Sequence, residues 1–213
     1  MKIWSLSKGF KLIGGLFVIG MGALLFQCKE DPCATVMCFN GICVDGACQC
    51  FANYGGTNCE IRCVNGQISG TACECEDGWE GPSCESPINK RFEGIYKGFS
   101  ICQLTDTVAI ERAYVLADKE NPVVVYIDGF GGFTCNFSSI VAKFVLEQNG
   151  SIIKLDGEQV FCNNKLYLTN GQGRIDKQTG QIYINYTYID SSFSGNQGRT
   201  DVCDSYLFPV KAE

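Results

Sequence analysis

The chain of 213 residues contains no histidine. That removes Ser-His-Asp and Cys-His catalysis and every metal site built on an imidazole. It is short of positive charge: 17 Lys and Arg against 23 Asp and Glu leave a formal net charge of −6. Nucleic-acid binding, which needs cations clustered on phosphate, is therefore not expected. The apolar run Leu12–Phe26 has 15 residues, short of the ~20 that a helix needs to span a bilayer. What the chain has in quantity is cysteine, 15 of them, which suits an oxidising compartment rather than a cytosol. A hydrophobic content of 46% with 19% charged residues is the composition of a folded chain, not a disordered one.

Lys2, Lys8 and Lys11 are the only charges in the first 28 residues and precede the apolar run, the order found in a secretory signal peptide. The run ends at Leu25-Phe26-Gln27-Cys28. This resembles a bacterial lipobox, with Phe26 and Gln27 in place of the usual small residues. The resemblance implies cleavage of a leader 1–27, acylation of Cys28 with palmitate-type chains, and membrane attachment, because several acyl chains exceed the two signals that stable anchoring takes. Lys29-Glu30-Asp31 resembles the export signal of surface lipoproteins in Bacteroidota-type Gram-negative bacteria, which implies a surface-exposed position on the cell outer membrane. An uncleaved signal anchor is the alternative. Setting Cys28 aside leaves 14 cysteines, an even number that can close seven disulfides.

Cys33, Cys38, Cys43, Cys48, Cys50 and Cys59 form the frame C-x4-C-x4-C-x4-C-x-C-x8-C. It resembles an EGF-like domain over residues 33–60, including Asn53-Tyr54-Gly55-Gly56 where the family has Gly, an aromatic, any residue and Gly. Asn replaces Gly at a left-handed position at modest cost. The resemblance implies Cys33–Cys43, Cys38–Cys48 and Cys50–Cys59. A repeat follows at a shift of 25 residues: Cys38, Cys48, Cys50 and Cys59 map onto Cys63, Cys73, Cys75 and Cys84, and Asn40-Gly41 onto Asn65-Gly66. Cys33 and Cys43 map onto Asn58 and Ile68. Two partners of one expected bond are thus lost together, which supports the connectivity and predicts a truncated module over 61–85 with Cys63–Cys73 and Cys75–Cys84. Segments this short bury too little core to fold alone, and each disulfide supplies ~2–4 kcal/mol in its place. Calcium is not expected, because Asp45 reads as part of an Asp-Gly turn. Zinc is not expected either, since its sites use C-x2–4-C pairs rather than Cys48-Gln-Cys50.

Residues 86–90, with Ser86-Pro87-Ile88-Asn89, read as a linker, and 91–213 as one all-β domain. Eight alternating or β-branched runs predict strands at Gly94–Leu104, Val108–Leu116, Val123–Asp128, Ser139–Leu146, Ile152–Leu155, Leu166–Leu168, Ile182–Ile189 and Val202–Val210. Asn149-Gly150, Asp156-Gly157, Asn170-Gly171, Thr179-Gly180 and Gly195-Asn196 read as the turns between them. Short strands with short links suggest an antiparallel up-and-down sheet that removes its edges by closing. Phe92-Glu93-Gly94-Ile95-Tyr96 resembles the opening motif of lipocalin-like (calycin-type) β-barrels, and the domain as a whole resembles small lipocalin-like domains of Bacteroidota-type lipoproteins. First and last strands of such a barrel are neighbours, so Cys102–Cys203 is the expected bond and Cys135–Cys162 its complement, one of three connectivities for four cysteines.

Site candidates are sparse. The glycine-rich Asp128–Phe133 is read as a flexible loop, because a phosphate cradle needs a following helix. Asn136-Phe137-Ser138 and Asn185-Tyr186-Thr187 match the N-glycosylation pattern, and Asp106-Thr107-Val108 a short O-glycosylation pattern. Asp201 with Asp204 is the acid pair weighed for glycosidase chemistry. No catalytic residue, metal or cofactor is expected. The expected function is that of a lipid-anchored, non-catalytic surface protein holding a β-barrel binding module on an EGF-like stalk. Its partners are the membrane and a protein, glycan or small apolar ligand, taken up by the loops Asp128–Phe133 and Ser191–Gly198. A carboxylate-dependent glycan hydrolase and a purely structural envelope protein are the alternatives. Replacing Cys28 by Ser should release the chain from the membrane fraction or leave it as unprocessed precursor. A mature N-terminus at Met1 with Cys28 unmodified, read by mass spectrometry, would contradict the anchor.

Overall fold

The structure is a computed structural model that describes residues 30–192 and 198–211. The leader, Cys28 and the centre of the 191–198 loop lie outside the described residues. Among those described, no helix is long and apolar enough to cross a membrane.

The two cysteine modules are built alike, displaced by the sequence repeat of 25. The first has a hairpin of Gly41–Val44 with Ala47–Cys50, the second one of Gly66–Ser69 with Ala72–Cys75. Asp45 and Gly46 close the first hairpin with φ of 49° and 84°, the two left-handed residues that a tight hairpin turn requires. The repeated Asn-Gly has a physical cause in both copies. Asn40 Nδ2 donates to the carbonyl of Cys59 at 3.0 Å and Asn65 Nδ2 to that of Cys84 at 2.9 Å. A Cβ on the glycine that follows would strike the carbonyl of Gln49 or Glu74 on the facing strand. The disulfides are Cys33–Cys43, Cys38–Cys48 and Cys50–Cys59 in the first module, and Cys63–Cys73 and Cys75–Cys84 in the second. These are the pairs set out from the sequence. Ile68, standing where Cys43 stands in the first copy, packs on Gly55 instead.

The repeat geometry runs on into the next domain. Tyr54–Gly55 pairs with Ile61–Arg62, and 25 residues later Trp79–Glu80 pairs with Ser86–Pro87. Cys63 N donates to the Asn53 carbonyl at 2.9 Å, and Ile88 N to that of Gly78 at 2.9 Å. Asn53 and Gly78 are both left-handed, at φ 64° and 91°. Residues 86–90, read as a linker, are therefore structured. Ile88–Phe92 forms a 3-10 turn in which Ile88, Asn89 and Phe92 are buried. Asn89 Nδ2 reaches the carbonyls of Asp118, Asn121 and Val124, each at 2.9 Å, and stitches the turn to the domain it precedes.

That domain is an eight-stranded antiparallel barrel. Its strands are β1 Gly94–Cys102, β2 Val108–Ala117, β3 Val124–Asp128, β4 Val141–Glu147, β5 Ile152–Leu155, β6 Leu166–Ile175, β7 Ile182–Asp190 and β8 Arg199–Pro209. Each pairs with its neighbour in sequence. Pairing of β5 with β6 and of β8 with β1 closes the ring. Cys203 faces Cys102 in the β8–β1 register and is bonded to it. Cys135–Cys162 ties the Thr134–Cys135/Ser138–Ser139 hairpin to the β5–β6 connection at one mouth. In β6 the sequence reading stops at Leu168, because Asn170-Gly171 looks like a turn. It is a bulge: the register with β7 shifts between Thr169 and Gln172, with Asn170 at φ 51°. The bulge lets the first half of β6 pair with Gln159–Phe161 and the second half with β5, bending one strand across two partners.

Period-two alternation fills the interior. In β7, Ile182, Ile184, Tyr186 and Tyr188 point inward and are buried, while Tyr183, Asn185 and Thr187 face outward. The two ends are plugged. At one, Ile88 and Phe92 lie under the strands; at the other, the 3-10 turn Phe130–Gly132 drives Phe130 inward, 0% exposed. Phe130 meets the rings of Phe144 at 5.0 Å and Tyr186 at 4.7 Å. Each such aromatic contributes about 1.5–3 kcal/mol through burial. Two buried serines and a buried tyrosine bond one another: Ser100 bonds Ser205, and Tyr186 Oη donates to Ser100 Oγ at 3.4 Å.

Tyr96, whose hydroxyl donates to the Phe92 carbonyl at 3.0 Å, has its pKa pushed up to about 12 by burial. Burial raises Tyr186 too. A phenol held neutral in the fold ionises first in the unfolded chain. Its stabilising effect is therefore complete below the ordinary tyrosine pKa of about 10 and disappears as pH rises to about 12. Urea midpoints should fall through this window, and Tyr96→Phe should flatten the fall. An unchanged alkaline profile in that variant would contradict the assignment.

Candidate functional site: an aromatic row on the barrel wall

The outer wall carries a transverse row built by strand register. Arg174 of β6 pairs with Tyr183 of β7, Tyr183 with Tyr206 of β8, and Tyr206 with Phe99 of β1. All four are outward positions, because cross-strand partners share a face. The ring centroids of Tyr183 and Tyr206 are 5.1 Å apart, those of Phe99 and Tyr206 5.2 Å, and Phe208 lies 6.3 Å from Phe99. The Arg174 guanidinium sits 5.0 Å above the Tyr183 ring. With strands spaced ~4.8 Å apart, four positions span about 14 Å. Beside this row runs a polar one, in which Gln172 pairs with Asn185 and Asn185 with Asp204.

The two rows are tied together. Tyr183 Oη donates to Asp204 Oδ1 at 2.7 Å and Asn185 Nδ2 donates to the same oxygen at 2.9 Å. The bond to the Asp204 carboxylate raises the Tyr183 pKa, so this phenol stays protonated and fixed as a donor. The β6–β7 turn overhangs the row. Asp176 holds it by accepting from the amides of Gln178 and Thr179 at 2.8 and 3.1 Å, which lowers its pKa. Between turn and wall lies a groove of about 450 Å³, lined by Arg174, Asp176, Gln181, Tyr183, Tyr206 and Phe208 among others.

The opposite wall is different in kind. There Lys143 pairs with Asp156 at 2.6 Å and Lys154 with Glu147 at 2.7 Å, and Tyr126 Oη donates to Asp118 at 3.0 Å. That wall covers itself with ion pairs. The aromatic row has none among the described residues, and Arg174 meets a ring rather than a carboxylate.

The sequence-derived candidates fall elsewhere. Asp128–Phe133 is not a flexible loop with exposed rings but the plug that buries Phe130. Of Ser191–Gly198, the described Ser191 bonds the carbonyls of Asn164 and Lys165, and residues 193–197 lie outside the description. Asp201 and Asp204 are separated by the wall. Asp201 points inward, 2% exposed, accepting from Leu104 N and Thr105 Oγ1, while Asp204 points outward to Tyr183. Cys102, Asp201 and Cys203 approach within metal-binding distance, but both sulfurs are committed to one disulfide. Asn136, with Phe137, tips a hairpin at φ 50° and 71°, and Asp106 sits in the exposed β1–β2 connection. The row itself escaped the sequence reading. Its only trace there is Tyr183, Tyr206 and Phe208 at the outward phase of alternating strands, and nothing short of register brings them together.

No family model, curated protein or solved structure matches the chain.

Proposed function

We propose that this chain is a non-catalytic surface lipoprotein. In this reading the barrel is a glycan-binding module, held off the cell outer membrane by EGF-like disulfide modules and a lipid on Cys28. The observation that carries the ligand class is the aromatic row with its polar companion. A sugar ring has an apolar face of C–H groups and an equatorial fringe of hydroxyls. Tyr183, Tyr206 and Phe208 offer flat apolar surface for the first. Asp176, Gln181, Asn185 and Asp204 offer acceptors and donors for the second. A side-chain-packed interior speaks against a small apolar ligand inside the barrel. A row of about 14 Å along one wall suits a short stretch of oligosaccharide.

The absence of histidine argues for binding without turnover, as does the separation of Asp201 from Asp204 by the barrel wall. On an array of neutral and acidic oligosaccharides the purified chain should retain a subset and return it uncleaved. Tyr206→Ala should weaken that binding at least about tenfold, or ~1.4 kcal/mol, whereas Tyr114→Ala, on β2 outside the row, should leave it unchanged. Equal losses in both variants, or cleaved sugar, would overturn the proposal.

A further inference from the structure

We infer that the first cysteine module is a membrane-contact element, with Ile42, Val44 and Phe51 seated in the interfacial zone of the bilayer that holds the N-terminus. The inference rests on the tethered reading above.

Ile42 pairs with Gln49 and Val44 with Ala47, and Phe51 N continues the ladder to the Asn40 carbonyl at 2.9 Å. Alternation then puts Ile42, Val44 and Phe51 on one face of the hairpin. Cys43, Cys48 and Cys50 occupy the other, bonded to Cys33, Cys38 and Cys59. The three apolar side chains are 54%, 46% and 58% exposed.

The second module is the control within the same molecule. It has the same hairpin register, the same Asn and Gly roles and two equivalent disulfides. At the positions of Ile42, Val44 and Phe51 it carries Gln67, Ser69 and Glu76, all exposed, and at that of Met37 it carries Arg62. The module fold therefore does not require apolar residues there. They are a property of the copy nearest the N-terminus.

The covalent chain says what covers them. Cys28 and Cys33 are five residues apart, a reach of at most roughly 17 Å. Acyl chains on Cys28, or the Leu12–Phe26 run retained as an anchor, bring the bilayer within that reach of the first module, whereas the second begins beyond it. Charge does not make the attachment. From 28 to 60, Lys29 stands against Glu30, Asp31, Asp45 and Glu60, so the contact is apolar and suits zwitterionic lipid. Interfacial elements of this kind enter about 5–10 Å into the headgroup and acyl boundary.

The test uses the mature, acylated full chain in phosphatidylcholine vesicles with brominated acyl chains. After cleavage Trp79 is its only tryptophan. Phe51→Trp should add a blue-shifted signal that is lost to bromine quenching, whereas Glu76→Trp, the same position in the second module, should keep its added signal. Flotation with the vesicles without quenching at 51 overturns this inference and leaves the tether standing. Equal quenching at 51 and 76 overturns it too. A concentration-dependent blue shift at 51 without quenching would put a second copy on the face and also overturns it. Failure of the parent chain to float overturns both the tether and the inference.

Discussion

Closure of the barrel around a packed interior is the constraint on which the rest depends. Eight short strands have edges only until β8 finds β1 and β5 finds β6. Once they do, every strand has two neighbours and the inward phase of each becomes core. Phe130 from one mouth and Ile88 with Phe92 from the other complete that core. A barrel filled in this way has side chains where a cavity could have been, and the binding proposed above uses the outside of the wall. There the register that closes the ring also aligns Arg174, Tyr183, Tyr206 and Phe99. The row is a by-product of closure that side-chain choice has turned into a surface with two aspects, apolar rings beside amides and carboxylate.

The cysteine modules are held by a different force. They are too small to bury a core, and covalent bonds stand in for it. The second module does with two disulfides what the first does with three. It also leans on the barrel: the Gly78 carbonyl takes the Ile88 amide, and Glu80 pairs with Arg91. The first module has its third bond, Cys33–Cys43, which the second lacks. The loss of that bond and the gain of packing partners go together along the chain.

Most of the architecture was legible because it rests on local pattern. All eight strand positions follow from alternation, and the pairings implied by the family resemblance of the cysteine frame, supported by its repeat, are those seen in the modules. Reading failed where a local signal has two physical meanings. Asn170-Gly171 has the composition of a hairpin turn, yet both flanks of β6 are held by other strands and the pair becomes a bulge. Asp128–Phe133 has the glycine content of a mobile loop, yet those glycines permit the left-handed turn that swings Phe130 inward, with Gly129 at φ 82° and Gly131 at φ 65°. Ser86-Pro87-Ile88-Asn89 looks like a linker because it is short and contains proline, and nothing local reveals that Asn89 will find three carbonyls. The aromatic row was invisible for a deeper reason: its members are spread over residues 99 to 208 and become neighbours only through register.

The claim that ligand meets the outside of a filled barrel is tested most directly by aromatic carbon NMR of the labelled chain, titrated with an oligosaccharide it retains. The ring signals of Tyr183, Tyr206 and Phe208 should shift in step with ligand, while those of Phe130, Phe144 and Tyr186 stay where they are. Shifts confined to the three interior rings, with the outer row unmoved, would place the ligand inside and contradict the account.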